Sequence, residues 1–120
     1  MATLVVTVTG IESTRGQVAI ALFASEADYE TQKNAVRRAF VDIQNGQARW
    51  ELDRVPAGTY ALIAYHDENG NREIDMRIFG MPKEPAGVSN DARGLFGPPK
   101  FKAASFEVRS PSTEHSLKLR

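Results

Sequence analysis

Apolar and polar residues alternate with a period of two along much of the chain, which is the pattern of half-buried β-strands. The first such segment covers residues 3–9 and the second covers residues 17–23. A polar turn from Gly10 to Gly16 separates them. Because a short polar turn between two alternating segments favours a hairpin, we predict that these two strands pair with each other.

A helix start follows the second strand. Ser25 can cap a helix, Glu26 and Asp28 place acidic residues in its first turn, and no Gly or Pro interrupts the segment up to Arg38. We therefore predict one short helix or turn within residues 25–38. The apolar positions fit helical spacing only loosely, so a polar excursion between strands is the alternative.

The clearest local signal in the chain is a tight hairpin turn. Residues 39–44 and 47–52 alternate, and Asn45-Gly46 joins them. Asn-Gly favours the positive φ angles of a type I′ turn, so we predict a hairpin here. Trp50 and Leu52 share one face of the second strand, and we assign that face to the core.

Three more segments complete the predicted strands. Residues 59–66 carry few charges and are expected to form a central strand. Residues 103–109 and 114–119 alternate again and give two closing strands. About seven short strands with at most one helix are typical of an all-β fold, a single antiparallel β-sandwich of immunoglobulin-like type. We expect one such domain over residues 1–120.

Composition excludes several functional classes. Fifteen basic and fifteen acidic residues cancel, and no basic run extends beyond Arg37-Arg38, so we expect no nucleic-acid partner. The absence of cysteine excludes disulfides, thiolate metal sites and a cysteine nucleophile. No apolar stretch approaches the roughly 18 residues that a membrane span requires, so we predict none.

Oxygen-bearing side chains recur directly after the predicted central strand, at positions two residues apart. They are Asp67, Asn69, Asn71, Glu73 and Asp75. Ligands at this spacing can point inward as the chain curls, and carboxylate and amide oxygens are what calcium prefers. We therefore predict a calcium site, with Glu73 at a position where its backbone carbonyl would serve.

The segment departs from an EF-hand loop at two positions. Arg72 stands where the sharp turn requires Gly, and Ile78 stands where a bidentate Glu supplies much of the affinity. Glu73, Glu84 or Asp91 could replace the missing carboxylate. Binding would then be weak, with a dissociation constant of about 10⁻⁴ to 10⁻³ M. The alternative is an ordinary turn in which Asp and Asn side chains bond to nearby backbone amides.

The sequence favours a protein without catalytic residues. His66 and Asp67 are adjacent in a strand and therefore point to opposite faces, so they do not form a base and its orienting partner. His115 lies in a closing strand, where we expect it to be exposed. No nucleophile-elbow, zincin, P-loop or dinucleotide-binding motif is present. An enzyme centred on His66 is the least favoured reading.

We predict a long loop over residues 79–101, which are rich in Gly and Pro and carry interleaved apolar side chains, among them Phe79, Met81, Phe96 and Phe101. Segments of this length inside a compact domain are often functional. One interpretation is an interaction module that binds an unknown protein or cell-envelope ligand through these aromatics. The alternative is that they cap one open end of the sandwich.

Five ordered motifs resemble the uncharacterised bacterial family DUF2141 over nearly the whole chain. They occupy residues 55–61, 65–71, 80–85, 87–90 and 96–101. Members of that family are typically exported with a leader peptide, so the resemblance implies a periplasmic or secreted protein. It implies no known activity.

The turn Pro56-Ala57-Gly58-Thr59-Tyr60 also resembles the Pro-x-Gly-x-Tyr element of transthyretin-like and collagen-adhesin B-type sandwich domains. This second resemblance implies a prealbumin-like fold. The Asp-x-Asn-x-Asn arrangement from Asp67 is similar to calcium loops in some B-type repeats, a likeness of local sequence that does not establish function.

Overall fold

The computed structural model describes residues 1–11, 16–67, 86–92 and 100–119, which form eight strands and three short helical segments. The strands are β1 (Ala2–Thr9), β2 (Gln17–Phe23), β3 (Arg37–Asp42), β4 (Ala48–Val55), β5 (Gly58–Asp67), β6 (Ala86–Val88), β7 (Phe106–Val108) and β8 (Ser112–Lys118). The helical segments are α1 (Glu26–Thr31), a 3₁₀ turn (Ser89–Asp91) and α2 (Phe101–Ala104). None of the helices in these ranges is long and apolar enough to cross a membrane.

The strands form two sheets. One has the order β4-β1-β8, and the other has the order β3-β2-β5-β6, with β7 also paired to β5. The predicted all-β, two-layer character is confirmed, with eight strands in the described residues where about seven were expected. The prediction of a purely antiparallel sandwich is wrong, because β1 and β8 pair in parallel. The prealbumin-like assignment stays a prediction.

The predicted hairpin between the first two strands does not form. β1 pairs with β4 and β8, whereas β2 pairs with β3 and β5 in the other sheet. Alternation determines which face of a strand is buried, but it does not select the neighbouring strand. In a sandwich, two consecutive strands can each turn an apolar face inward from opposite layers. Residues 10–16 therefore connect the two sheets.

The Asn45-Gly46 turn is confirmed. Asn45 and Gly46 have φ angles of 55° and 75°, and the backbones of Gln44 and Gln47 bond reciprocally at 2.8 and 3.0 Å. Beyond this bridge the strands separate, because β3 pairs with β2 and β4 pairs with β1. The turn is thus a corner between the sheets.

The predicted helix forms in part. The backbone N–H of Asp28 donates to Ser25 Oγ at 3.2 Å, so Ser25 caps α1 as expected. The helix ends at Gln32, which adopts a left-handed conformation with φ of 55°. It does not continue to Arg38, because Arg37 begins β3.

The prediction of at most one helix is wrong, because α2 and the 3₁₀ turn also form. Because α2 ends at Ala104, the strand predicted over residues 103–109 is reduced to β7.

Apolar side chains fill two separate layers. The larger cluster lies between the sheets and includes Leu4, Val6, Val18, Ile20, Leu22, Leu52, Leu62 and Leu117, with Trp50 packed against it. The smaller cluster covers the opposite face of the five-stranded sheet and includes Ala21, Phe23, Tyr29, Ala61, Ile63, Val88 and Ala104. β5 is buried on both faces and is central, as predicted.

A side-chain bond closes the turn between β4 and β5. The hydroxyl of Tyr60 donates to the backbone carbonyl of Pro56 at 2.7 Å. β4 ends at Val55 and β5 begins at Gly58, and these strands belong to different sheets. The Pro-x-Gly-x-Tyr element is therefore a second corner of the sandwich, which fixes the direction in which β5 leaves the turn.

Candidate functional site

The predicted calcium segment lies mostly outside the described residues. Asn69, Asn71, Glu73 and Asp75 fall outside them, and Asp67 is the last residue of β5. Asp67 is fully buried and opposes Gln17 of β2. In the described residues, no three His, Cys, Asp or Glu side chains lie close enough to hold a metal ion. The five-residue site therefore stays a prediction.

The two histidines occupy different environments. His66 is 1% exposed and opposes Val18, whose side chain belongs to the core between the sheets. Asp67 opposes the next residue along β2 and so faces the other side of the sheet. The prediction that this adjacent pair forms no base and orienting partner stays a prediction.

His115 is not simply exposed, so that prediction is wrong. It is half-buried, and its ring stacks on Phe106 with centroids 4.2 Å apart and planes 16° apart. The backbone N–H of Asn90 donates to His115 Nε2 at 3.1 Å. Burial lowers the pKa of His115, and the nearby Asp91 carboxylate raises it in partial compensation.

The 3₁₀ turn joins several elements through side chains. Ser89 is fully buried; its Oγ accepts from the backbone N–H of Leu62 at 2.9 Å and donates to the carbonyl of Ala104. Asn90 Nδ2 donates to the carbonyls of Ala103 and Ser105 at 3.2 and 2.7 Å. These bonds connect the turn to β5 and α2.

Asp91 has a structural role in the same turn. Its Oδ1 accepts the backbone N–H of Lys118 in β8 at 2.8 Å. The sequence offered Asp91 as one residue that could replace the missing calcium carboxylate. In the structure its Oδ1 instead accepts a hydrogen bond from β8. The signal for the turn was three consecutive turn-forming residues, Ser89-Asn90-Asp91, although sequence does not show which strands they contact.

One member of the predicted aromatic surface packs inward. Phe101 is half-buried beside Tyr29, with ring centroids 5.7 Å apart, and Tyr29 meets Phe23 edge-on at 6.2 Å. For Phe101 the structure therefore favours the second interpretation, in which the side chain packs against the sheet and does not form an exposed recognition surface. Phe79, Met81 and Phe96 lie outside the described residues. Within the described part of residues 79–101 the prediction of a loop is wrong, because Ala86–Val88 form β6 and Ser89–Asp91 form the 3₁₀ turn.

A cavity of about 110 Å³ lies on the face of the five-stranded sheet that points away from the sandwich core. Ala19 and Ala21 of β2 form its floor, because their small side chains leave space between β3 and β5. We call this cavity the sheet pocket. Its lining includes the apolar side chains of Ala19, Ala21, Phe23, Phe40 and Ile63, together with Tyr65, whose hydroxyl is buried.

Two polar side chains also line the sheet pocket. Gln32 follows α1, and its Oε1 is buried and accepts no hydrogen bond from the described residues. Arg38 of β3 opposes Ala21 of the floor, is exposed, and forms no ion pair within the part of the chain that the structure describes. The pocket therefore combines apolar walls with a positive charge and an acceptor that the described residues leave unpaired.

Sequence reasoning missed the sheet pocket. The alternating pattern predicts strands for Ala19, Phe40 and Ile63, but it does not place these strands side by side. One feature of the sequence could have indicated the pocket. Ala19 and Ala21 place two small side chains on one face of a strand whose other residues are mostly bulky. Their significance depends on the aromatic residues of neighbouring strands, which only the register reveals.

Comparison with known proteins identifies a family and no closer relative. Residues 6–116 match the model of a family described as "Uncharacterized protein conserved in bacteria (DUF2141)". This match agrees with the resemblance carried by the five sequence motifs. Searches among curated proteins and among solved structures find no significant match.

Proposed function

The chain belongs to the uncharacterised bacterial family DUF2141, and we propose that it is a non-catalytic binding protein that receives an apolar group in the sheet pocket. The observation that carries this proposal is the cavity of about 110 Å³ beside a buried Gln32 Oε1 that accepts no hydrogen bond from the described residues. A buried acceptor without a donor is costly, and rotation of the Gln32 side chain toward a bound donor would remove that cost.

The size of the sheet pocket fits a small apolar group. The cavity of about 110 Å³ is partly open to solvent, so a small molecule has access to it. An engineered apolar cavity of about 150 Å³ stays dry and binds benzene. A short branched alkyl group or a single ring is therefore the expected occupant.

The chemistry of the lining favours binding over catalysis. Its described side chains are apolar apart from Gln32, Arg38 and the hydroxyl of Tyr65. Neither Gln32 nor Arg38 is a nucleophile or a general base at neutral pH. Small-molecule sites commonly combine an apolar lining with a few polar groups that fix orientation, and the sheet pocket has that composition.

Filling the sheet pocket tests the proposal. Ala21→Leu places three more carbons on the floor, whereas Ala27→Leu makes the same change at an exposed position of α1 and serves as the control. We expect millimolar benzene or cyclohexane to shift the amide NMR signals of Ala19, Ala21 and Ile63 in the wild type and in Ala27→Leu. We expect no such shifts in Ala21→Leu.

Thermal melts of both variants check that each one folds. Failure of every apolar probe to shift the pocket signals would contradict the proposed function. Equal binding by folded Ala21→Leu would show that the probes bind elsewhere, and it would contradict the assignment of the site.

Calcium binding by the segment from Asp67 to Asp75 is a second candidate, favoured by the complete burial of Asp67 at the end of β5. Buried carboxylates are generally paired, hydrogen-bonded or coordinated to a metal, and this one opens a run of oxygen ligands. We propose a periplasmic or secreted location, because members of the family are typically exported. Such a location would supply calcium at the concentrations that a weak site needs.

Thermal melts in EDTA and then in millimolar calcium test this candidate. Calcium at about 100 times its dissociation constant adds about 2.7 kcal/mol to the free energy of unfolding. We expect the melting temperature to rise in the wild type, and the rise to disappear in Asn71→Ala, which leaves the buried Asp67 intact. Magnesium is the matched ion control. Identical melting curves in EDTA and calcium would rule the site out.

A further inference from the structure

We propose that the sheet pocket selects an apolar group that carries a carboxylate and an N–H donor, the chemistry shared by an N-acylated apolar amino acid and an apolar peptide C-terminus. This inference rests on the proposed function, because it names the ligand class of the same cavity. It follows from the two polar side chains of the lining, Arg38 and Gln32.

Arg38 supplies the preference for a carboxylate. Its position opposite Ala21 places it beside the floor of the pocket, and it forms no ion pair among the described residues. A guanidinium presents a planar set of donors that matches a carboxylate in a bidentate arrangement. Arg38 is exposed, so such a pair stays partly hydrated, and its bidentate geometry supplies the preference more than burial does.

The neighbouring Arg37 shows that the two arginines have different roles. Its side chain donates to the backbone carbonyls of Asp53 and Arg54 in β4, at 3.1 and 3.3 Å. Successive strand residues point to opposite faces. Arg37 therefore joins β3 to the end of β4 in the other sheet, whereas Arg38 lies on the pocket side. Arg38 is therefore available to a ligand.

Gln32 supplies the preference for a donor. Gln32 lines the pocket, and its Oε1 is buried and accepts no hydrogen bond from the described residues. Because Oε1 has almost no accessible surface, the Gln32 side chain has to rotate for this oxygen to accept a ligand amide N–H, and a ligand without a donor would leave it unsatisfied. An acyl amino acid presents an N–H, a side chain and a carboxylate on neighbouring atoms, so one small molecule can meet all three features of the lining.

Three ligands separate the contributions by calorimetric titration. N-acetyl-leucine carries all three features, N-acetyl-leucinamide lacks the charge, and 4-methylpentanoate lacks the N–H. We expect N-acetyl-leucine to bind about tenfold more tightly than either of the others. Arg38→Gln should remove the preference over the amide, and Gln32→Met should remove the preference over 4-methylpentanoate.

Arg49→Gln provides the charge control. Arg49 lies on β4 in the other sheet and pairs with Glu51 at 3.3 Å, so its loss changes net charge without touching the pocket. We expect this variant to keep the full preference for the carboxylate. A tetrapeptide, acetyl-Ala-Ala-Ala-Leu, distinguishes the two sources: tighter binding than N-acetyl-leucine assigns a peptide C-terminus, and equal or weaker binding assigns a small acyl amino acid.

The outcomes that overturn this inference differ from those that overturn the proposed function. Equal affinity for N-acetyl-leucine and its amide, or a carboxylate preference that survives in Arg38→Gln, would refute the ligand class while apolar binding remained. Absence of binding by benzene, cyclohexane and all three ligands would refute the proposed function itself.

Discussion

At the scale of single residues, contacts distant in sequence decide what a side chain does. His66 is enclosed in the core, whereas His115 stacks on Phe106 and accepts an N–H from Asn90. Because His115 Nε2 accepts that bond, the neutral ring carries its proton on Nδ1. Protonation of Nε2 would break the bond and leave a buried donor facing another donor.

The stability of the protein should therefore depend on the ionisation of His115. Burial lowers its pKa in the folded state below the ordinary value of about 6.5, so the unfolded chain binds more protons as pH falls below that value. The stabilisation is complete above pH about 6.5 and is lost as pH falls toward the folded-state pKa. We expect the free energy of unfolding to decline more steeply between pH about 7 and 5 in the wild type than in His115→Gln.

Urea denaturation across this pH range measures the difference. Gln can accept the Asn90 N–H but does not titrate, and the carboxylates common to both proteins contribute equally. Parallel pH profiles for the two proteins would show that the bond from Asn90 does not hold His115 neutral.

Residues with local roles were predictable, and residues with distant partners were not. Ser25 caps the helix that begins at the next residue, and Asn45-Gly46 sets its own backbone angles. By contrast, Asn90 bonds to Ser105, fifteen positions away, and Gln32 contributes to a pocket whose floor is in β2. Nothing in the residues around either one indicates those partners.

At the scale of elements, alternation predicted the strands but not their pairing. β1 and β2 form close to their predicted positions, yet each pairs within a different sheet. A strand with one apolar face gains similar burial from any neighbour that covers it, so the pairing depends on all the strands together. The Asn45-Gly46 turn was predictable because its backbone angles depend on these two residues alone. The separation of β3 from β4 was not predictable, because it depends on pairing with β2 and β1.

The corner between β4 and β5 gives a prediction at this scale. Tyr60→Phe removes the hydroxyl that bonds to Pro56 at 2.7 Å and keeps the ring that packs in the core. We expect the free energy of unfolding to fall by about 1 kcal/mol, the usual contribution of one hydrogen bond. Urea denaturation with an unchanged m-value would show that the fold is kept. No loss of stability would mean that the turn holds its direction without this bond.

At the scale of the whole molecule, the β-rich character and the two layers followed from sequence, whereas the topology did not. The parallel pair β1 and β8 joins segments separated by most of the chain, and no local pattern marks such a contact. The sheet pocket has the same origin. It requires β2, β3 and β5 in one order and the end of α1 beside them, so its residues become a site only after the molecule has folded.

The parallel pairing of β1 and β8 also has a mechanical consequence. Thr3 opposes Ser112 and Thr9 opposes Lys118, so the beginning of β1 and the end of β8 lie at opposite ends of the ladder. Tension applied between Ala2 and Lys118 would pull the two strands along their lengths in opposite directions. The hydrogen bonds of the ladder would then share the load and fail together, whereas a hairpin pulled from its open end unzips one bond at a time.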